Sequence, residues 1–301
     1  KVTFFFPKIS AKIKHLFTLL LPNFLAGGVV QINQLVGIFF ASSITGAISW
    51  LYYSDRIVQL PLGIFAISIS TILLTSLSEI RSEKENFTKR IDSSFVLMLS
   101  VTLVCMMGLL AIPDLIVDIL FKRGNFGYGD VKATSEALTM YALGLPAFGI
   151  IKLFSTIFFA KKDTKTPFYI SFFSMFFNVF LIHSLIDNYG HLGIALALSL
   201  SSWLNVILLY MGLRIKQYWI LDSSLVLKIF KLVLISFIGF IALRTCYFLF
   251  IYYDLIILSN IYKKILFLIY LLVITGTILI TLSVIFKLLK IKDIRGKLFR
   301  D

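Results

Sequence analysis

The sequence predicts an all-α polytopic membrane protein, and three observations carry that reading. Hydrophobic residues make up 59% of the 301 residues against 15% charged, and the mean hydropathy is +0.95. A soluble domain of this size has too little interior to hide that much apolar surface. The apolar residues fall in continuous runs of about 20 or more, not in the alternation of a membrane barrel. The formal net charge of +14 is gathered in short basic clusters between those runs. That is the distribution of membrane-flanking loops and not of a nucleic-acid surface.

Eight runs are long enough to span a bilayer, at 16–41, 46–78, 91–112, 133–160, 168–186, 192–213, 229–252 and 265–287. Loops on one side receive 21 Lys and Arg and those on the other only five, namely Lys122, Arg123, Lys132, Lys263 and Lys264. The basic side is cytoplasmic by the positive-inside rule, so both ends of the chain are expected there. The chain begins at Lys1, with neither an initiator Met nor a charged-apolar-cleavage pattern, and reads as a piece of a longer protein.

The first span carries Asn23, Gly27, Gln31 and Gln34 on one side. The second is the unusual one. It opens on Ser49-Trp50-Leu51-Tyr52-Tyr53-Ser54-Asp55-Arg56 and, at about 50 Å if straight, is too long to cross upright. Pro61, which lacks an amide, and Gly63 predict a kink and a hinge in it. Ser49, Tyr52, Arg56, Gln59 and Gly63 recur at alternating intervals of 3 and 4, so they share one helix face, with Asp55 flanking it.

The third span has no interior carboxylate beyond Asp92 at its edge. On the fourth, Tyr141, Gly144, Phe148, Lys152 and Ser155 form a stripe in which Lys152 either snorkels to the interface or lines a cavity. The fifth and sixth carry Ser171, Ser174, Asn178 and Ser199, Ser202, Asn205, which read as interhelical packing and hydrogen bonding. Arg244, near the outer end of the seventh, reads as a snorkelling residue, and the eighth is apolar throughout.

An intramembrane arginine costs several kcal/mol unless it faces a wet or protein-lined interior, which makes Arg56 a functional-site candidate. The loop charges place it in the outer half of the membrane, roughly 15 Å from the external end. Its planar five-donor cation suits bidentate recognition of a phosphate or diphosphate. No Walker loop, zinc-ligand spacing or Ser/His/Asp constellation accompanies it, so no enzyme, metal or cofactor is predicted. His15, His183 and His191 read as interfacial, and Cys105 and Cys246 as buried thiols.

The stretch from Trp50 to Arg56, with Gln59-Leu60-Pro61-Leu62-Gly63-Ile64-Phe65, resembles the signature of the MurJ/MviN family of lipid II flippases. Further matches follow in order: Phe121-Lys122-Arg123-Gly124-Asn125-Phe126, then Tyr141 to Phe148 with Lys152, then Asp163-Thr164-Lys165-Thr166-Pro167, Asn178, Gly193 to Ala197, and Trp203-Leu204-Asn205. The resemblance covers about 12–214 with specific motifs.

It implies a transporter of the multidrug/oligosaccharidyl-lipid/polysaccharide exporter superfamily, with two six-helix lobes and two further helices grooved for a lipid tail. The chain resembles the second lobe plus that pair. Its parts would be a basic lead-in (1–15), the lobe (16–214), a linker (215–228), the groove pair (229–287) and a basic tail (288–301). The implied function is flipping of lipid II across a bacterial inner membrane by alternating access, with the missing N-terminal lobe as partner. Flipping another polyprenyl-diphosphate-linked glycan and cation-coupled drug export are the alternatives. In that mechanism Arg56 holds the diphosphate, Tyr52, Ser49 and Gln59 add hydrogen bonds, and Asp55 orients the arginine. The position matching Arg56 is a cavity residue of the family. The lack of interior carboxylates argues against a sodium site in this lobe.

Overall fold

A computed structural model describes residues 31–79, 84–252 and 261–285, and all regular structure among them is helical. In chain order the helices are α1 (Gln31–Ala41), α2 (Ala47–Pro61), a π-helical turn (Leu62–Ala66), α3 (Ile67–Glu79), α4 (Lys84–Ala111), α5 (Pro113–Phe121), α6 (Tyr128–Ala142), α7 (Leu145–Ala160), α8 (Lys165–Tyr189), α9 (His191–Ile215), α10 (Ser223–Tyr252) and α11 (Ile261–Ile285). Asn23, Gly27, His15 and the terminal basic segments fall outside the described residues.

The centre of the bundle is α7. Leu145, Leu153, Phe154, Ile157 and Phe158 are all at most 2% exposed, because α3, α4 and α9 close on it from different sides. The enclosed sides of such a helix must be apolar, and its charged Lys152 falls on the open side. α2 packs on α6, and α8 lies against α9. The outward side of α8 shows Tyr169, Phe172, Phe173, Phe176 and Phe180, which suits contact with lipid. α10 runs along α4, and α11 reaches α10 and α5. A small separate core of Ala111, Ile112, Leu115, Leu243, Phe267 and Leu271 joins this pair to the rest.

Five helices of the described chain are long and apolar enough to cross a membrane, or six if the bent pair α6–α7 is one span. α1 and α11 coincide with parts of the expected first and eighth spans, so the described residues do not fix the count at eight.

Three differences from the expected spans have physical causes. The expected fourth span is broken into α6 and α7, which meet at 42°. Pro146, in the first turn of α7, has no amide to donate back to Ala142, so the backbone ladder is interrupted there. The expected third span begins earlier, at Lys84, and is followed by the short helix α5, which starts on Pro113. At Pro61 and Gly63, where a kink is expected, the helix widens into the π turn while Ala47–Ser78 remains one span. The wider turn relieves the clash of the proline ring with the turn before it.

Close helix contact depends on missing side chains at two points. A Cβ on Gly193 would stand 2.8 Å from the Leu185 carbonyl oxygen, where α8 turns back into α9. Gly46, at the start of α2, has φ +85°, and a Cβ there would meet the Trp50 ring at 2.6 Å.

Candidate functional site

α2 is amphipathic in an inverted sense. Ala47, Leu51, Ser54, Ile57 and Val58 are buried against its neighbours. Ser54 Oγ donates to the carbonyl of its own Trp50 and lies 2.7 Å from that of Thr134, tying α2 to α6. The polar stripe faces the other way. Ser49, Tyr52, Arg56 and Gly63 are exposed, and Asp55 and Gln59 are half-buried.

Within the stripe, the Arg56 guanidinium carbon lies 4.7 Å from the Tyr52 ring centre, a cation–π distance. Arg56 Nη1 donates a long hydrogen bond of 3.4 Å to Gln59 Oε1, and Gln59 Nε2 donates to Asp55 Oδ2. Asp55 therefore reaches Arg56 through Gln59 and makes no ion pair with it within 4 Å among the described residues. The bond to Gln59 is the one the guanidinium makes to protein among the described residues. Lys152 is exposed on α7, and no hydrogen bond or ion pair among the described residues joins its ammonium to the α2 stripe.

The stripes on α8 and α9 are largely buried, whereas Gln31 and Gln34 on α1 are exposed. Asn178 Nδ2 donates to Asn33 Oδ1 at 2.8 Å, linking α8 to α1. On α9, Ser199 Oγ donates to the Met140 carbonyl at 2.7 Å, and Trp203 Nε1 to the Leu143 carbonyl at 3.0 Å. Both carbonyls lie at the α6–α7 break, where helical donors are lacking. Side chains that satisfy such groups make a broken helix tolerable in a membrane.

Each end of the bundle carries a cluster whose partners are distant in sequence. At one end Trp50 Nε1 donates to Asp130 Oδ1 at 2.8 Å, the Gly127 amide donates to Asp130 Oδ2, and the Trp50 and His191 rings lie 5.0 Å apart. His191 Nε2 is 3.1 Å from the Ala133 carbonyl, so this histidine belongs to an interhelical contact as well as to the interface. On the same side Asp118 takes both Lys122 and Lys264, pinning α11 to α5. Arg244, exposed on α10, donates from Nη1 to the Ala111 carbonyl at 2.8 Å at the end of α4, a backbone partner in addition to the interface.

At the other end Trp219 Nε1 donates to Asp92 Oδ1 at 2.7 Å. Lys216 Nζ sits 2.5 Å from Asp163 Oδ2 and 2.8 Å from Thr166 Oγ1. Partial burial pushes the Asp163 carboxyl up, but its bonds to Lys216 and Thr166 outweigh that and hold it below its ordinary value. The same carboxylate raises Lys216. No grouping of three or more His, Cys, Asp or Glu that could hold a metal occurs among the described residues.

The family model described as lipid II flippase MurJ matches residues 2–284. A probable lipid II flippase MurJ of Rhizobium meliloti is 37% identical over 230 residues, covering 76% of this chain and 43% of the relative. That of Vibrio cholerae is 36% identical over 212 residues, covering 69% and 40%. The chain thus spans less than half the length of these curated relatives.

Among solved structures, lipid II flippase MurJ in an inward closed conformation superposes with a TM-score of 0.74 at 28% identity, covering 93% of this chain and 56% of that one. A transporter of the MOP superfamily from Pyrococcus furiosus shares the fold, with a TM-score of 0.55 at 15% identity. The multi-pass helical bundle, the motifs along it and the extent of these matches agree: the chain belongs to the lipid II flippase MurJ family.

Proposed function

We propose that this chain is the part of a lipid II flippase that carries one wall of the transport cavity, and that Arg56 on that wall binds the diphosphate of the substrate. The observation that carries the reading is the exposure of the Arg56 face of α2. A charged stripe turned away from its own bundle is costly against lipid, but it is suited to a wet cavity closed by a further lobe. That lobe is the partner the reading requires. Transport then proceeds by alternating access of the two halves in a bacterial inner membrane, with no enzymatic step.

Arg56 offers paired N–H donors to the diphosphate, and Tyr52 and Ser49 add hydroxyls along the same face. Gln59 holds the guanidinium from one side and is itself held by Asp55, which limits the rotamers Arg56 must give up on binding. Lys152 supplies a second positive charge to the cavity from α7. The π turn after Pro61, with Gly63 inside it, is the bending point, since such turns break the regular ladder. Residues 16–214 form the lobe, and α10 and α11, within 229–287, keep the polyprenyl tail against lipid. The basic loops set both ends of the chain in the cytoplasm.

The test is precursor flipping by full-length protein carrying Arg56→Ala or Arg56→Lys. Loss of flipping in the Ala variant with normal folding is expected, and undiminished flipping would remove the diphosphate role. Partial activity of the Lys variant would indicate that charge matters more than fork geometry.

A further inference from the structure

A groove of about 460 Å³ opens between α3 and α4, lined by Ile72, Ser76, Lys89, Arg90, Ser93 and Ser94 among others. It is distinct from the Arg56 face: Ser76 lies 20 residues further along the same span, about 30 Å away at helical rise. It is also at the end of the bundle opposite the Trp50–Asp130–His191 cluster, where the membrane interface must fall.

Its chemistry is that of an anion site with an apolar floor. Arg90 Nη1 donates to Ser76 Oγ at 3.2 Å across the groove, which orients the guanidinium while leaving other donors available. Arg90 makes no ion pair among the described residues. Lys89 is held by Glu85 at 2.6 Å, so its charge is partly answered, and Glu85 does not line the groove. Ser94 adds a hydroxyl donor, whereas the Ser93 hydroxyl donates to the Lys89 carbonyl at 2.9 Å. Ile72 and, deeper along the same span, Phe65 are exposed, presenting apolar surface from the groove into the membrane.

We infer that this groove binds the phosphodiester headgroup of an anionic phospholipid, with Arg90 as the principal contact and the acyl chains lying along exposed α3. A basic pocket between membrane helices at the interface is suited to such a headgroup. A free anion would gain nothing from the apolar floor. The inference depends on the proposed orientation only for which leaflet supplies the lipid, the cytoplasmic one.

The experiment is lipid retention by the purified full-length protein, measured by native mass spectrometry after exchange into phosphatidylglycerol or phosphatidylcholine. Arg90→Gln should lower phosphatidylglycerol retention about five-fold, the effect of one basic residue at a membrane surface. Arg90→Lys should keep most of it, and Lys165→Gln, at the same end but outside the groove, should leave it unchanged. The site is overturned if Arg90→Gln retains phosphatidylglycerol as the wild type does, or if Arg90→Lys loses it as fully as Arg90→Gln. Equal retention of phosphatidylcholine would equally overturn it. Displacement by inorganic phosphate would reassign the groove to a free anion. None of these readings depends on flipping, so this site and the Arg56 role can fail separately.

Discussion

Two polar stripes with nearly the same helical spacing meet opposite fates in this bundle. On α9, Ser199, Ser202 and Asn205 are buried, and Ser199 closes an open carbonyl at the α6–α7 break. On α2, Ser49, Tyr52 and Arg56, with Gly63 in the π turn beyond, are exposed, while the opposite face of α2 holds the contacts with α6. Small hydroxyls can be enclosed because a backbone carbonyl satisfies them, and burying Asn205 leaves only a neutral amide oxygen without a partner among the described residues. A guanidinium has five donors and a charge that it cannot shed, so it cannot be enclosed on such terms. Spacing alone therefore does not distinguish a packing stripe from a binding stripe; the hydrogen-bonding demand of its most polar member does.

The sharpest way to break that comparison is to remove the demand. Arg56→Ala should leave folding intact, because among the described residues the guanidinium meets Tyr52 and Gln59 of its own helix and bridges to no other helix. It should lower flipping by about 10- to 100-fold, the worth of a charge-assisted hydrogen bond. Equal loss of thermal stability and flipping would show that the two stripes do the same work. The converse test is Gly193→Val, beside the buried stripe. Its new side chain would press on the Leu185 carbonyl, a backbone atom that cannot swing aside. A loss of about 1–3 kcal/mol in stability is expected, with flipping per folded molecule preserved.

A finer test lies within the exposed stripe. Gln59→Ala cuts the link from Asp55 to Arg56 without removing the cation. Precursor affinity should fall about two- to ten-fold, because the bond to the guanidinium is charge-assisted but long at 3.4 Å. No change would mean that Arg56 orients itself on Tyr52 alone.

How far these features are legible in the sequence follows from their range. The spans, the Arg56 stripe and its flanking Asp55 are local patterns, and the helical period exposes them directly. The order of the relay is not local: adjacent Asp55 and Arg56 suggest a direct pair, but Gln59 stands between them because i and i+1 side chains on a helix point about 100° apart. The α6–α7 break was available in Gly144 and Pro146, yet the apolar run continues through both and conceals it. Contacts such as Trp50 with Asp130, Trp219 with Asp92, and Asp118 with Lys264 join residues 80 to 146 positions apart. No periodicity reports on pairs at that separation. Arg244 shows the same limit: its depth was readable, but its carbonyl partner on α4 was not.

The smallest effect should come from the end of the bundle farthest from Arg56. Asp163 and Lys216 hold the α7–α8 turn to the end of α9, and both pKa values move toward the charged forms. For Asp163 the depressed value means that its contribution is complete above the unfolded carboxylate range, about pH 4, and is lost as pH falls through the lower folded value. For Lys216 the raised value means that the contribution is complete below about pH 10 and is lost as pH rises through the higher folded value. Between those limits the pair should add a constant increment. Thermal unfolding in detergent should thus show a flat difference between wild type and Lys216→Met across neutral pH, narrowing at both extremes. Lys216 is partly open to solvent, so screening keeps the increment small, and added salt should reduce it further. No difference between the two proteins at any pH would mean that Asp163 is stabilised by Thr166 alone, and that the turn is held by its own capping contact and not by α9.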